Sequence, residues 1–174
     1  MRIIKAKDFI LRPITYSDVH GYFESRTDVL ARKGFMYVPK NLAETRKFIK
    51  KIIAEMRKSK PNKELFVIEI DKQFAGFVGL HDLHQKYFEF KGKINYGSHP
   101  KFRGKGITTK AVKIITDYAF KKYKLKRIEG WCRKYNKASA RVLEKAGYKF
   151  EGILRKNKYK DGKYFDDMLW AKVK

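Results

Sequence analysis

The sequence predicts one mixed α/β domain spanning residues 1–174. Three observations carry that prediction. Strand-like apolar runs and segments of helical period alternate along the chain, with turn residues between them. Hydrophobic residues make up 43% of the chain against 35% charged ones, a balance that excludes a disordered chain. The 174 residues fit the usual size of one domain, and no linker, repeat or low-complexity tract divides them.

Phe9-Ile10-Leu11-Arg12 is a short apolar run stopped by Pro13 and reads as a strand. Thr15 and Asp18 have capping-box spacing, which starts a helix running to about Arg26. Residues 33–39, with their aromatics and Pro39, read as a loop. Asn41 caps a second helix, with Glu44 at its third position and Leu42, Ile49, Ile52, Ile53 and Met56 on its apolar face. Residues 65–70 form a buried-type strand, Asp71-Lys72-Gln73 a turn, and residues 74–83 the return strand. Residues 84–92 carry no clear pattern, and 94–98 read as another strand ended by Pro100. A glycine-containing loop leads into a helix from Ile107 to about Lys122. Residues 127–133 form a strand, and Asn136 opens a short helix that Gly147 ends as a left-handed cap. Two last strands, near 148–159 and 164–173, flank Asp161-Gly162, a hairpin signal. The order is strand, two helices, three strands, helix, strand, helix, two strands.

Composition narrows the partners. The formal net charge is +25, from 43 Lys and Arg against 18 Asp and Glu. Such an excess attracts phosphate-rich or acidic surfaces and is silent about the fold. A solvated lysine coat, of the kind that accompanies adaptation to heat or salt, accounts for the same excess. The run Lys121-Lys122-Tyr123-Lys124-Leu125-Lys126-Arg127 reads either as a nucleic-acid patch or as a solvated helix end. One cysteine, Cys132, excludes an intrachain disulfide and reads as a small apolar strand residue. Four scattered histidines and one cysteine make no metal site. The opening residues Met1-Arg2-Ile3-Ile4-Lys5 contain no apolar run of signal-peptide length, and no stretch has the length of a membrane span, so a cytoplasmic protein is expected.

Two segments carry chemistry. The first, Lys101-Phe102-Arg103-Gly104-Lys105-Gly106-Ile107-Thr108, lies between a strand and a helix. Glycines let backbone amides approach a ligand, and a helix N-terminus offers unpaired N–H groups and the positive end of a dipole. Together they form a pyrophosphate cradle, with Arg103 and Lys105 adding charge. An ordinary turn before a helix is the plainer reading of two glycines alone. The Gly-Lys-Ser/Thr ending of a triphosphate loop and the third glycine of a dinucleotide fingerprint are both missing. The second segment runs from Asn136 through Ser139 and Leu143 to Tyr148. Asn136 is a fair N-cap, and Ser139 falls one turn later.

Together the two segments resemble the GNAT superfamily of N-acetyltransferases. The loop is similar to its Gln/Arg-x-x-Gly-x-Gly/Ala motif, with Lys101 in the first place, and the second segment to its Asn-x-x-Ser…Glu-Lys-x-Gly-Phe stretch, with Tyr148 for Phe. Leu11-Arg12-Pro13-Ile14…Asp18 and Asp161-Gly162-Lys163-Tyr164-Phe165-Asp166 look like the opening and the final hairpin of the subgroup that acetylates ribosomal-protein N-termini and small amines.

The resemblance implies a mostly antiparallel mixed sheet, flanked by helices and splayed between the fourth and fifth predicted strands, residues 94–98 and 127–133. It implies acetyl-coenzyme A as co-substrate, with no metal. Its pantetheine arm would pair with backbone near Tyr96, Gly97 and Ser98. Its pyrophosphate would sit on the amides of Arg103, Gly104, Lys105, Gly106, Ile107 and Thr108. Asn136 and Ser139 would lie near the thioester, whose oxygen needs an N–H donor such as strand backbone near Gly97.

The departing thiolate needs an acid and the amine a base. Many family members use a tyrosine where this chain has Leu143, which turns the acid role to Ser139. Many carry a glutamate base where this chain has Lys93, so the base candidates become Asp82, His81 and His84. Tyr96 reads as core or as lining of the split, and Trp131 and Trp170 as core. For the acceptor, the resemblance and the charge favour a protein N-terminal amine, on an acidic protein or a ribosomal particle. A small amine such as a polyamine or antibiotic is the alternative, and a nucleic-acid-associated module with a vestigial cofactor site is a third reading.

Overall fold

The computed structural model describes residues 3–174; Met1 and Arg2 of the opening stretch lie outside the described residues. Its elements in order are β1 (Ile4–Lys5), β2 (Ile10–Pro13), a 3-10 turn at Tyr16–Asp18, α1 (Val19–Thr27), α2 (Val29–Gly34), α3 (Leu42–Met56), β3 (Lys63–Ile70), β4 (Gln73–His81), β5 (Lys91–Ser98), a 3-10 turn at Pro100–Phe102, α4 (Ile107–Tyr123), β6 (Arg127–Arg133), α5 (Lys137–Lys145), β7 (Lys149–Lys160) and β8 (Lys163–Val173).

Eight strands form one sheet in the order β1-β2-β3-β4-β5-β6-β8-β7. Every neighbouring pair is antiparallel except β5 with β6, which are joined through α4. Strand alternation sorts the side chains onto two faces. Phe66 and Ile68 of β3, with Val78 and Leu80 of β4, join a core with Ala111, Ile115 and Ala119 of α4 and Leu143 of α5. Leu65, Val67 and Phe77 join a second core with Val19 and Tyr22 of α1 and Ile49 and Ile52 of α3. The sheet is thus the middle of three layers, with α4 and α5 on one face and α1 and α3 on the other.

The local signals act as read. Asp18 accepts from the Thr15 N–H at 2.8 Å, closing the capping box. Asn41 accepts from the Glu44 N–H at 2.9 Å at the start of α3. Gly147 follows α5 with φ +86°. Asp161 and Gly162 take φ +50° and +77°, the left-handed pair that joins β7 to β8.

Three differences have physical reasons. A further helix, α2, fills the unassigned stretch between the first predicted helix and the predicted loop at 33–39 and takes the first two residues of that loop; its six residues are too few to display a helical period. The two-residue β1 is not legible in the sequence because it pairs only with β2 and is too short to show alternation. β5 begins at Lys91 inside the stretch that carried no pattern, because Gly92 supplies no side chain where α4-side packing leaves no room: a Cβ there would lie 3.2 Å from Leu125 and Leu83.

Candidate active site

The parallel ladder between β5 and β6 runs from Lys91 opposite Arg127 to Ile94 opposite Gly130 and then stops. Residues 95–98 stay paired with β4 on their other side, through Gly79, Val78, Phe77 and Gly76. Residues 131–133 stay paired with β8. The two strands therefore diverge as a V, and Tyr96, Gly97 and Ser98 lie on its open edge, where backbone groups are available to an extended ligand. This is the predicted splay.

The α4 N-terminus lies beside the end of β5. Gly106 is its N-cap at φ +72°, with no side-chain cap, so the amides of the first turn lack that partner. Gly104 has φ +79°, and a Cβ built on either glycine meets nothing within 4 Å. Both glycines thus take left-handed conformations, and a Cβ on either would point into open space. That geometry fits a pyrophosphate, and any side chain at either glycine would occupy the space. Lys105 is exposed, its amine 5.7 Å from the centre of the Phe102 ring.

Arg103 has a partner that its position in the motif did not reveal. Its guanidinium meets the Asp28 carboxylate at 2.6 Å and the Ser98 carbonyl at 3.5 Å. Asp28 in turn accepts from the Leu30 N–H at 3.0 Å as the N-cap of α2. Burial raises the Asp28 carboxyl, but the hydrogen bond and charge of Arg103 together with the Leu30 and Ala31 N–H groups bring it below the usual range.

Inside the V, α5 brings Ser139 to Tyr96. Asn136 caps the helix, accepting from the Ser139 N–H at 3.0 Å. The Tyr96 hydroxyl lies 2.8 Å from Ser139 Oγ and 2.9 Å from the Ser139 carbonyl oxygen, to which it can donate. Tyr96 is both core and lining: its ring packs on the α4-side core while its hydroxyl reaches the split. Burial raises its pKa well above the ordinary tyrosine value, so it stays protonated. Leu143 is fully buried, its side chain pressed against Gly130, and contributes packing alone. Cys132 on β6 is also buried, its thiol pushed up to about 11.

The base candidates separate. His81 and Asp82 adjoin Lys93, with His81 Nδ1 at 3.4 Å and Lys93 Nζ at 3.0 Å from the Asp82 carboxylate. Burial lowers the His81 pKa by more than Asp82 restores, which leaves the imidazole neutral at pH 7. Burial raises the Asp82 carboxyl, but the hydrogen bond from Lys93 and the neighbouring charges bring it down overall. His84 instead packs edge-on to Tyr123 at the end of α4. Trp131 departs from the core reading. Its ring lies 4.7 Å from the Lys93 amine and 5.4 Å from the Lys158 amine, in a cleft of about 230 Å³ shared with Asp82 and Glu129. Trp170 packs against the core as expected.

A larger cleft of about 1060 Å³ was not legible in the sequence. Its lining comes from three distant segments: Arg32, Lys33, Met36, Tyr37, Val38, Lys40 and Glu44; Tyr135; and Lys160, Asp161 and Phe165. Lys160 donates to the Arg32 and Phe35 carbonyls at 2.8 and 3.0 Å, and the Tyr135 hydroxyl to the Lys33 carbonyl at 2.6 Å. The C-terminal end of α2 is therefore held by the final hairpin and by the segment after β6. Beside it, the buried pair Arg133–Asp167 closes at 2.7 Å, and Arg26 lies 3.7 Å from the centre of the Phe35 ring. Among the described residues, no cluster of three or more His, Cys, Asp or Glu is placed to hold a metal ion, and no helix is long and apolar enough to cross a membrane.

Residues 8–149 match the acetyltransferase (GNAT) domain family. The chain belongs to the GNAT acetyltransferases. The probable N-acetyltransferase YjcK of Bacillus subtilis is 46% identical over 101 residues, 58% of this chain and 55% of that protein. The spermidine N(1)-acetyltransferase of Escherichia coli is 29% identical over 99 residues, 57% of this chain and 52% of that one. The matched stretches thus span just over half the length of both relatives. Among solved structures, RimL, a ribosomal alpha-N-protein acetyltransferase in complex with coenzyme A, superposes with a TM-score of 0.85 at 22% identity, covering 99% of this chain and 98% of that one. At that identity the likeness speaks for the fold, an open mostly antiparallel sheet flanked by helices.

Proposed function

We propose that this GNAT protein moves an acetyl group from acetyl-coenzyme A to a protein N-terminal amine, on an acidic protein or a protein held on a ribonucleoprotein particle. The observation that carries the choice of acceptor is the charge of the large cleft. Arg32, Lys33, Lys40 and Lys160 line it against Glu44 and Asp161, and Glu44 already accepts from the Lys40 N–H at 2.9 Å. Tyr37, Tyr135 and Phe165 offer flat apolar walls to a peptide. Such a lining repels a polycation and attracts an acidic chain. RimL, with the same fold, is a ribosomal-protein acetyltransferase, which supports the same acceptor class. The match to the spermidine enzyme supports the small-amine alternative, and the cleft charge weighs against it.

The residues divide the work as follows. The α4 N-terminal amides and the glycines at 104 and 106 hold the pyrophosphate, and the open β5 edge at Tyr96, Gly97 and Ser98 holds the pantetheine arm. Acetyl-coenzyme A supplies an activated acetyl thioester. Backbone N–H near Gly97 hydrogen-bonds the oxygen that gains charge. Ser139, with the Tyr96 hydroxyl behind it, gives a proton to the departing sulfur, while Asn136 holds the first turn of α5. His81, neutral and oriented by Asp82, takes the proton of the amine through water.

The test is kcat/KM against salt for an acidic N-terminal peptide and for spermidine. Long-range steering is screened over about 8 Å at physiological ionic strength, so the acidic acceptor should slow steeply as salt rises. Efficient spermidine turnover beside inert acidic peptides would overturn the acceptor assignment. A flat salt profile with the acidic peptide would remove the steering argument alone.

A further inference from the structure

Helix α3 borders the large cleft, to which Glu44 of its first turn and Lys40 just before it contribute. Its inner face is Thr45, Ile49 and Ile52, all buried. Its outer face carries Arg46, Lys47, Lys50 and Lys51, and the chain continues with Arg57 and Lys58, all exposed. Between residues 40 and 60 there are eight Lys or Arg and two Glu. Both glutamates are engaged: Glu44 by the Lys40 N–H, and Glu55 by Lys58 at 2.6 Å and the Asn62 N–H at 2.8 Å. Among the described residues, no carboxylate lies within ion-pair distance of Arg46, Lys47, Lys50 or Lys51.

The other long helix differs. On α4, Asp117 interrupts the exposed cations, Lys110 pairs with Asp8, and Lys122 pairs with Glu64 at 2.6 Å. On α5, Arg141 pairs with Glu144 at 2.5 Å. A general lysine coat predicts mixed faces of that kind, and among these three helices α3 departs from it.

We infer that the outer face of α3 is a docking surface for the phosphate backbone of duplex RNA. Arg46 with Lys50 and Lys47 with Lys51 are i,i+4 neighbours, which sets their Cβ atoms roughly 5–6 Å apart in two parallel rows. The fifteen residues of α3 extend over about 22 Å. A protein partner would need apolar or aromatic anchors at the centre of the contact, and lysine is depleted there. Between Leu42 and Arg57 the exposed apolar residues are Ala43, Ala54 and, at the very start of the helix, Leu42, which lies outside the apolar face the sequence assigned it to, so no apolar anchor sits at the centre of the basic face. Phosphates need no anchor: each cation that neutralises one releases counterions, and the contact is independent of base sequence. The choice of RNA over DNA rests on the acceptor reading above: α3 borders the cleft, so RNA docked on it would bring a protein bound to that RNA close to the cleft.

The test is fluorescence anisotropy of a 20-base-pair RNA duplex, about the size of two helical turns, titrated with the full chain at several salt concentrations. The assay contains neither acetyl-coenzyme A nor acceptor. A negative result therefore removes the RNA surface without touching the acceptor reading, and inert acidic peptides in the acetylation assay leave the RNA result standing. The quadruple variant Arg46→Gln, Lys47→Gln, Lys50→Gln, Lys51→Gln should flatten the slope of log affinity against log salt by about 3 to 4, from four lost phosphate contacts at roughly the 0.9 per contact that holds for B-form DNA. A second quadruple variant, Lys110→Gln, Lys113→Gln, Lys121→Gln, Lys145→Gln, removes equal charge elsewhere and should change the slope by less than one. Circular dichroism checks that both variants are folded. Equal losses in the two variants would show that the whole coat binds and would overturn the proposal. So would no RNA binding at low salt, tighter binding to the matching DNA duplex, or binding of an acidic peptide to α3 in place of RNA.

Discussion

The proposed cofactor site and the proposed acceptor cleft are built in opposite ways. The split, the α4 cradle and the α5 hydroxyl come from one nearly continuous stretch between β5 and α5, and most of their chemistry is main-chain: an open strand edge and uncapped helix amides. The proposed acceptor cleft gathers α2 with the loop after it, the start of α3, the segment after β6 and the final hairpin, and it is lined mostly by charged and aromatic residues. A backbone site tolerates almost any side chain except where a Cβ would intrude. A side-chain site has no such fixed positions and can be retuned residue by residue. One fold can thus keep a constant acyl donor while its acceptor varies.

The largest effect should come from the backbone half. Gly106→Val puts a β-branched side chain at φ +72° and into the open space at the start of α4. Coenzyme A affinity by calorimetry should fall by at least 100-fold, with the circular dichroism spectrum retained. Undiminished affinity would mean that the pyrophosphate lies elsewhere, and the main-chain account of this half would fail.

The same contrast decides what could be read in the sequence. The local geometry of the proposed cofactor half is legible because its requirements are local: two glycines before a helix, a cap at Asn136, a strand ending just before Pro100. The fold was legible where period and capping agree, as at Thr15 with Asp18 or Asp161 with Gly162. The acceptor half was not, since Lys33, Tyr135 and Lys160 lie far apart in sequence and meet only through tertiary hydrogen bonds. Arg103 shows both limits: its loop was identified, but its partner Asp28 lies 75 residues away. Trp131 was read as core because alternation cannot tell which face of a strand has a helix above it; here Lys93 and Lys158 flank the ring instead.

A smaller effect concerns the hydroxyls within the cofactor half. Ser139→Ala should lower kcat by about 100-fold, the lower end of acid–base assistance, with coenzyme A affinity little changed. Tyr96→Phe removes the hydroxyl 2.8 Å behind Ser139 and should lower kcat by about tenfold. The two single variants and the double variant form a cycle. Coupled losses, with the double variant no worse than Ser139→Ala, fit a relay through Ser139. A greater loss in Tyr96→Phe than in Ser139→Ala would make Tyr96 the donor and Ser139 its support.

The smallest expected effect lies where the two halves meet. Helix α2 is tied to the cofactor loop at its N-terminus, through Asp28 and Arg103, and to the acceptor cleft at its C-terminus, through Lys160 and Tyr135. If α2 transmits the position of one half to the other, Asp28→Asn should be felt in both. Asparagine keeps the N-cap, so this change isolates the ion pair, whereas Asp28→Ala removes the cap as well. Arg103 and Asp28 are 31% and 18% exposed, and partly solvated pairs of this kind are worth about 1 kcal/mol or less. The expected change is therefore at most about fivefold. We expect the acceptor KM to rise within that limit as α2 loosens. Coenzyme A affinity should rise slightly, because Arg103 is released toward the phosphates. An unchanged acceptor KM with altered coenzyme A affinity would confine Asp28 to the cofactor half, and the two regions would then be energetically independent despite sharing a helix.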